Sequence, residues 1–242
     1  GFNFLYADQL TPKLVREAVE QWPDKQGMGW PSWAFENHDA PRAISRWARG
    51  DNARAFAEMK ILLMMCLRGN VILYQGEELG LTQVDIPFEL LQDPEAIANW
   101  PLTLSRDGVR TPMPWVADIA NHGFTTGTPW LPFGPDHAGL AVDRQNADQS
   151  SLLALTRRVI ALRREHEALQ HGAMEIVRAE GDMLLFRRLA GNEQLLCAFN
   201  MGGESISDPV GSMGPLQIVE AVGGATVDTL PPCSGLVVKI TG

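Results

Sequence analysis

Residues 32–42, Ser-Trp-Ala-Phe-Glu-Asn-His-Asp-Ala-Pro-Arg, and residues 70–78, Asn-Val-Ile-Leu-Tyr-Gln-Gly-Glu-Glu, decide how this chain is read. Each is a short apolar run that opens into polar side chains: Asn37, His38 and Asp39 in the first, Gln75, Glu77 and Glu78 in the second. Both read as buried strands with functional residues at the carboxyl end. Between them, Asp51 or Asn52 can cap a helix running to Arg68, with Phe56, Met59, Leu63, Met64 and Leu67 on its apolar side and Gly69 as the stop. Strand, helix and strand joined by short turns imply a parallel α/β unit. In such a unit both polar clusters face the same side.

Outward from this centre, Leu14, Val15, Ala18, Val19 and Trp22 fall at helical spacing, and Pro23 ends that helix. From about Leu81 to Ser150 the pattern breaks into a stretch rich in Pro, Gly, Asp, Thr and Trp, including Asn99-Trp100-Pro101 and Pro129-Trp130-Leu131-Pro132. A connection this long inside a compact domain is improbable unless it is functional. Residues 151–164 return to helix, with Leu152, Leu155, Val159 and Leu162 on one face; Arg157, Arg158, Arg163 and Arg164 read as its solvated face. Beyond Gly172 the period changes to two, in runs at 173–177, 182–189, 194–200, 216–222 and 235–240 separated by turn residues. These runs predict a small all-β antiparallel domain over 172–242, after an α/β portion over 1–171.

The 242 residues carry 20 Lys plus Arg against 29 Asp plus Glu, a formal charge of −9, which speaks against nucleic acid as a partner. The longest uncharged apolar run, Ile61 to Leu67, is far short of the roughly 20 residues that cross a bilayer, so no membrane partner is expected. The amino end carries no secretory pattern, and Cys66, Cys197 and Cys233 are widely spaced without a CxxC pair, so reduced structural thiols and a cytoplasmic location are expected. Phosphate-loop, dinucleotide, zinc-protease, serine-hydrolase and calcium-loop motifs are absent, and neither a cofactor nor a metal is implied. Carboxylates beside Trp-rich and Pro-rich segments suit a neutral, hydroxyl-rich ligand, because charged acceptors grip sugar hydroxyls and indole rings stack on apolar sugar faces. On spacing alone, His38 and Asp39 simply capping the next helix is the plainer alternative.

Phe35-Glu36-Asn37-His38-Asp39-Ala40-Pro41-Arg42 resembles the last active-site signature of the α-glucosidase and oligo-1,6-glucosidase branch of the α-amylase superfamily, usually F-x-N-H-D-Q-P-R. Residues 72–80, Arg106 to Trp115 and Pro129 to Pro132 are similar to segments of that branch in the same order, up to about residue 172. The resemblance implies the distal part of a (β/α)8 barrel over 1–171, with a substrate-side loop at 81–150, followed by a β-sandwich over 172–242. It implies that Asp39 is the third catalytic carboxylate, stabilising the transition state through the 2- and 3-hydroxyls of a sugar, with His38 as a hydrogen-bond partner. Arg110 matches the arginine at the closed end of the pocket, with Arg106 as second choice; Phe35 and Arg42 lie in the substrate-side shell, and Glu77 and Glu78 are structural.

The departures matter as much. A retaining glycosidase needs a nucleophile and an acid/base carboxylate roughly 5 Å apart, which the family carries on a G-F-R-x-D strand and a later strand ending in Glu. Neither motif occurs here, Ala40 replaces the usual Gln, and a closed barrel needs about 200 residues or more. The expectation is the carboxyl-terminal portion of an α-glucosidase acting on oligosaccharides or small α-glucosides, inactive alone, with the amino-terminal barrel segment as its structural partner. Two alternatives are a sucrose- or trehalose-acting transglucosidase or isomerase, and a non-catalytic binding protein of the same fold. Residues 173–242 contain no Trp or Tyr, and Phe186 and Phe199 alternate like core positions, which weakens a separate sugar-binding role for the β-domain.

Overall fold

The computed structural model describes residues 2–22, 29–103, 105–211 and 214–241. The expected helix stop at Pro23 lies outside them. The chain divides into two units: Gly1–Trp33, Ala48–Ile72 and Thr156–Gly242 form one, and Ala34–Trp47 and Leu73–Leu155 the other.

In the first unit, α1 (Phe2–Leu5) and α2 (Pro12–Glu20) precede a two-residue strand, β1 (Ser32–Trp33). The start of α2 follows from chemistry legible in the sequence: Pro12 sits at the first helical position, and the Thr11 hydroxyl accepts from the Leu14 amide at 3.1 Å. The second unit contributes α3 (Ala43–Trp47), after which α4 (Ala53–Cys66) returns to the first and leads into β2 (Asn70–Val71). β1 and β2 pair in parallel, as the strand-helix-strand reading requires. Each is shorter than the apolar run that announced it.

α4 is buried nearly all round, and its carboxyl end lies inside the protein, where unpaired carbonyls are costly. Side chains take up those carbonyls. Arg163 donates to Met65, Leu67 and Gly69, Arg188 to Cys66, and the Trp33 indole to Arg68. The negative end of the helix dipole also offsets two guanidinium charges there. Arg163 is therefore not on a solvated face: it lies on α7 (Leu152–Glu165), turned toward the end of α4. Period-3.6 counting places it among arginines and cannot reveal the carbonyls it meets.

After α5 (Pro94–Asn99), α6 (Val142–Ala147), α7 and α8 (Glu167–Gln170), the chain turns to strand: β3 (Ala173–Glu180), β4 (Met183–Ala190), β5 (Glu193–Asn200), β6 (Ile206–Ser207), β7 (Leu216–Val222), β8 (Thr229–Leu230) and β9 (Ser234–Ile240). The five long strands form one antiparallel sheet in the order β3-β4-β5-β9-β7, and β6 pairs with β8 separately. All five period-two runs are strands. One face packs Leu185, Leu196, Ala198, Leu236 and Val238 against Val210, Ala225 and Leu230. On the alternate positions, Phe186 and Phe199 stack at 5.9 Å, and the missing side chain of Gly235 admits both the Phe199 ring and Leu62 of α4. Cys66, Cys197 and Cys233 are free and buried.

The second unit holds the long Pro- and Gly-rich stretch, which is far from structureless. It contains α5, α6 and 3-10 turns at Phe88–Leu90 and Arg106–Val109. It also buries its own apolar clusters, Val84, Ile86, Leu91, Ala96 and Leu131 in one, and Leu79, Leu81, Met113 and Leu153 in another. These cores hold the segments that bear the polar side chains described next.

Candidate active site

The second unit brings together residues from 36–42 and 93–110. Asn37 builds the first piece: its Oδ1 accepts the amides of Asp39 and Ala40 at 2.9 and 2.8 Å, an Asx-type turn that turns His38 and Asp39 outward. Their side chains are 65% and 38% exposed, with His38 Nε2 3.3 Å from Asp39 Oδ2.

Beneath them lies a buried ion pair. The Arg42 guanidinium donates from Nη1 to Glu36 Oε2 at 3.0 Å and to the Gln75 carbonyl at 2.7 Å, and from Nη2 to the Val109 carbonyl at 3.2 Å. It lies over the Tyr74 ring at 4.9 Å, and the Tyr74 hydroxyl also donates to Val109. Burial raises the Tyr74 phenol above its ordinary value, so it stays a donor. Glu36 Oε1 accepts the Ala43 amide at the start of α3. The Arg42–Glu36 pair therefore joins α3, residue 75 and residue 109 in one network, next to Arg110 in the chain.

Arg110 reaches over this base. Its Nε donates to the His38 carbonyl at 2.8 Å and its Nη2 to Asp39 Oδ1 at 3.0 Å. Arg106 approaches the same oxygen from Nη1 at 3.5 Å, while its Nε and Nη2 grip the Asp93 carboxylate at 2.9 and 2.5 Å. That bidentate grip holds the Asp93 carboxyl well below the usual carboxylate range and the Arg106 guanidinium above its own. Gly108 sits between the arginines because a side chain there would collide with the Val84 carbonyl and Gln83.

Of the residues singled out from the sequence, the structure unites His38, Asp39, Arg106 and Arg110 around one partly exposed carboxylate. Phe35 and Arg42 are wholly buried below it, Phe35 edge-on to Trp47 at 5.7 Å, so what they contribute is support. Glu77 is buried, accepting the Tyr74 amide, and burial raises the Glu78 carboxyl. Sequence reasoning missed Glu36, Tyr74 and Asp93. Asp93 did carry a signal, Asp-Pro ahead of a helical run, but that pattern reads as an N-cap and says nothing of Arg106.

Comparison with known proteins identifies the family. The family model for the α-amylase catalytic domain matches residues 5–172, and the chain belongs to the α-amylase family. A probable α-glucosidase of Rhizobium meliloti (strain 1021) is 42% identical over 220 residues, which cover 90% of this chain and 40% of the relative. An oligo-1,6-glucosidase of Parageobacillus thermoglucosidasius is 31% identical over 77% of this chain and 37% of its own length. Among solved structures, the α-glucosyl transfer enzyme XgtA superposes with a TM-score of 0.87 at 35% identity, over 98% of this chain and 45% of that one. The trehalulose synthase MutB gives 0.80 at 26%, over 99% and 50%. The chain thus spans about two-fifths of the length of the curated relatives it matches.

Proposed function

We propose that this chain is the carboxyl-terminal portion of a retaining α-glucosidase that removes terminal α-linked glucose from oligosaccharides or small α-glucosides. In this reading residues 1–171 complete a (β/α)8 barrel, with 81–150 as a substrate-side loop, and 172–242 form a terminal β-sandwich. The nucleophile and the acid/base carboxylate belong to an amino-terminal barrel segment, which is this chain's partner.

The observation that carries the reading is the Asp39 carboxylate, held at 3.0 Å by Arg110 with His38 beside it, yet still open to solvent. A carboxylate so placed can accept two sugar hydroxyls. As the ring flattens toward an oxocarbenium ion those hydroxyls become stronger donors, so the contacts lower the barrier rather than merely tighten binding. His38 and Arg110 border the ligand, with Arg106 behind them and Phe35 and Arg42 as the shell beneath. No helix among the described residues is long and apolar enough to cross a membrane, and the three buried free thiols suit a reducing, cytoplasmic setting.

The test is release of nitrophenol from p-nitrophenyl α-glucoside. The complete protein is expected to turn it over and to lose that activity on Asp39→Asn, while the 242-residue chain alone is inactive. Turnover by the chain alone, abolished by Asp39→Asn, overturns the division of labour. A second reading, a transferring or isomerising relative, is favoured by the likeness to XgtA and MutB. Disaccharide formation in place of glucose release, followed by chromatography, selects it.

A further inference from the structure

We infer that Asp93 is a positioning residue for Asp39, acting through Arg106: it keeps the Arg106 guanidinium beside the Asp39 carboxylate but off it. The inference rests on the role proposed for Asp39 above.

Asp93 is 2% exposed, and a carboxylate that far from water persists only when its oxygens are fully engaged. They are. Oδ2 accepts the Arg106 amide at 3.1 Å and its Nε at 2.9 Å, and Oδ1 accepts Nη2 at 2.5 Å and the Glu95 amide at 3.2 Å. The backbone beneath it is pinned as well, because Asp107 Oδ2 accepts the Gln92 and Asp93 amides at 2.6 and 2.8 Å. Asp93 therefore cannot follow Arg106 if the arginine moves.

Two of the three guanidinium nitrogens of Arg106 are committed to this fixed carboxylate. The third, Nη1, is left 3.5 Å from Asp39 Oδ1, beyond the 3.0 Å at which Arg110 binds the same atom. Without Asp93, a guanidinium beside a half-exposed carboxylate closes into the bidentate pair that its fork geometry favours. Both Asp39 oxygens would then be occupied by arginines, leaving a sugar hydroxyl to compete for them. Asp93 thus supplies the buried competing anion that keeps Asp39 available, the exposed Glu95 carboxylate standing farther off at 3.9 Å from Nη2, while Arg106 still lends the site its charge.

The test is a double-mutant cycle in the complete protein with p-nitrophenyl α-glucoside as substrate. Asp93→Asn, which presents an amide donor to the guanidinium, is expected to lower kcat/KM at least tenfold, with a fall in kcat as well as a rise in KM. Asp93→Ser keeps the helix cap and removes the carboxylate, so it is expected to behave alike with α5 intact. Should Asp93→Asn not fold, the serine variant is read in its place. In the Arg106→Gln background, either change is expected to alter kcat/KM less than twofold. Equal losses in both backgrounds, or a lowered Tm with kcat/KM unchanged, overturn the inference. A crystal structure of the Asp93→Ser chain reads the same movement without turnover: Arg106 is expected within about 3 Å of Asp39, at hydrogen-bond distance, and an unmoved Arg106 overturns it. An inactive wild-type protein would sink the proposed activity while leaving this structural outcome to be decided.

Discussion

Arg110 and Asp39, 71 residues apart in the chain, meet with Nη2 3.0 Å from Oδ1, while Arg110 Nε donates to the His38 carbonyl. One guanidinium thus holds both the side chain and the backbone of the same turn. Replacing Arg110 by Gln in the complete protein should lower kcat/KM by roughly 10- to 150-fold, the equivalent of about 1.5–3 kcal/mol for a hydrogen bond to a charged group. Lys, which keeps charge but loses the two-point grip, should fall between. Since the Asp39 side chain is 38% exposed, thermal melts of either variant should stay close to wild type.

Arg188 is wholly buried, with no carboxylate partner among the described residues; its donors end on the carbonyls of Cys66, Leu169, Gly172 and Ala173, and burial pushes its pKa down to about 10. Arg188→Met leaves those acceptors unpaired inside the protein. The loss should be about 3–5 kcal/mol, comparable to breaking a buried polar network. Urea titration should move the midpoint at constant slope if the unfolded state is unchanged.

His137 is buried edge-on to Phe133 at 5.8 Å, and desolvation, with Arg42 nearby, pushes its pKa down to about 4. The unfolded chain therefore takes up a proton near pH 6.5 while the folded protein does not until about pH 4. This contribution to stability is complete above pH 6.5 and fades as pH falls through that window. His137→Phe should flatten the stability curve between pH 6.5 and 4; an unchanged slope in chemical denaturation across that range would count against the assignment.

A side chain at Gly235 would sit 2.8 Å from the Phe199 ring and 3.3 Å from Leu62. Both neighbours are fixed in the packing between α4 and the sheet. Gly235→Ala should therefore cost about 1–3 kcal/mol, the usual penalty of overpacking a core. A paired Phe199→Leu change should recover part of it in the same melts.

Much of the architecture was legible from local pattern. The five period-two runs, the helix start at Thr11-Pro12 and the parallel strand pair flanking α4 each follow from rules that operate within a few residues. Strand lengths were not. The run 32–37 reads as one strand, but the ladder ends at Trp33, and the Phe35 carbonyl is taken by the Arg46 guanidinium rather than by a strand amide. Such competitors lie outside the window that a periodicity measures.

The site divides in the same way. Asn37, His38 and Asp39 are adjacent, and their turn is closed by Asn37 itself, so sequence alone determined that a histidine and a carboxylate stand together. It also determined that Arg106 and Arg110, four residues apart, would share one short segment. Tertiary structure alone decided that this segment lies over Asp39, that Arg42 is spent below on Glu36 and Val109, and that Asp93 claims Arg106. Covalent neighbours constrain one another at any stage of folding, whereas an ion pair across tens of residues exists only after the apolar clusters beneath residues 79–131 have closed the loop between them.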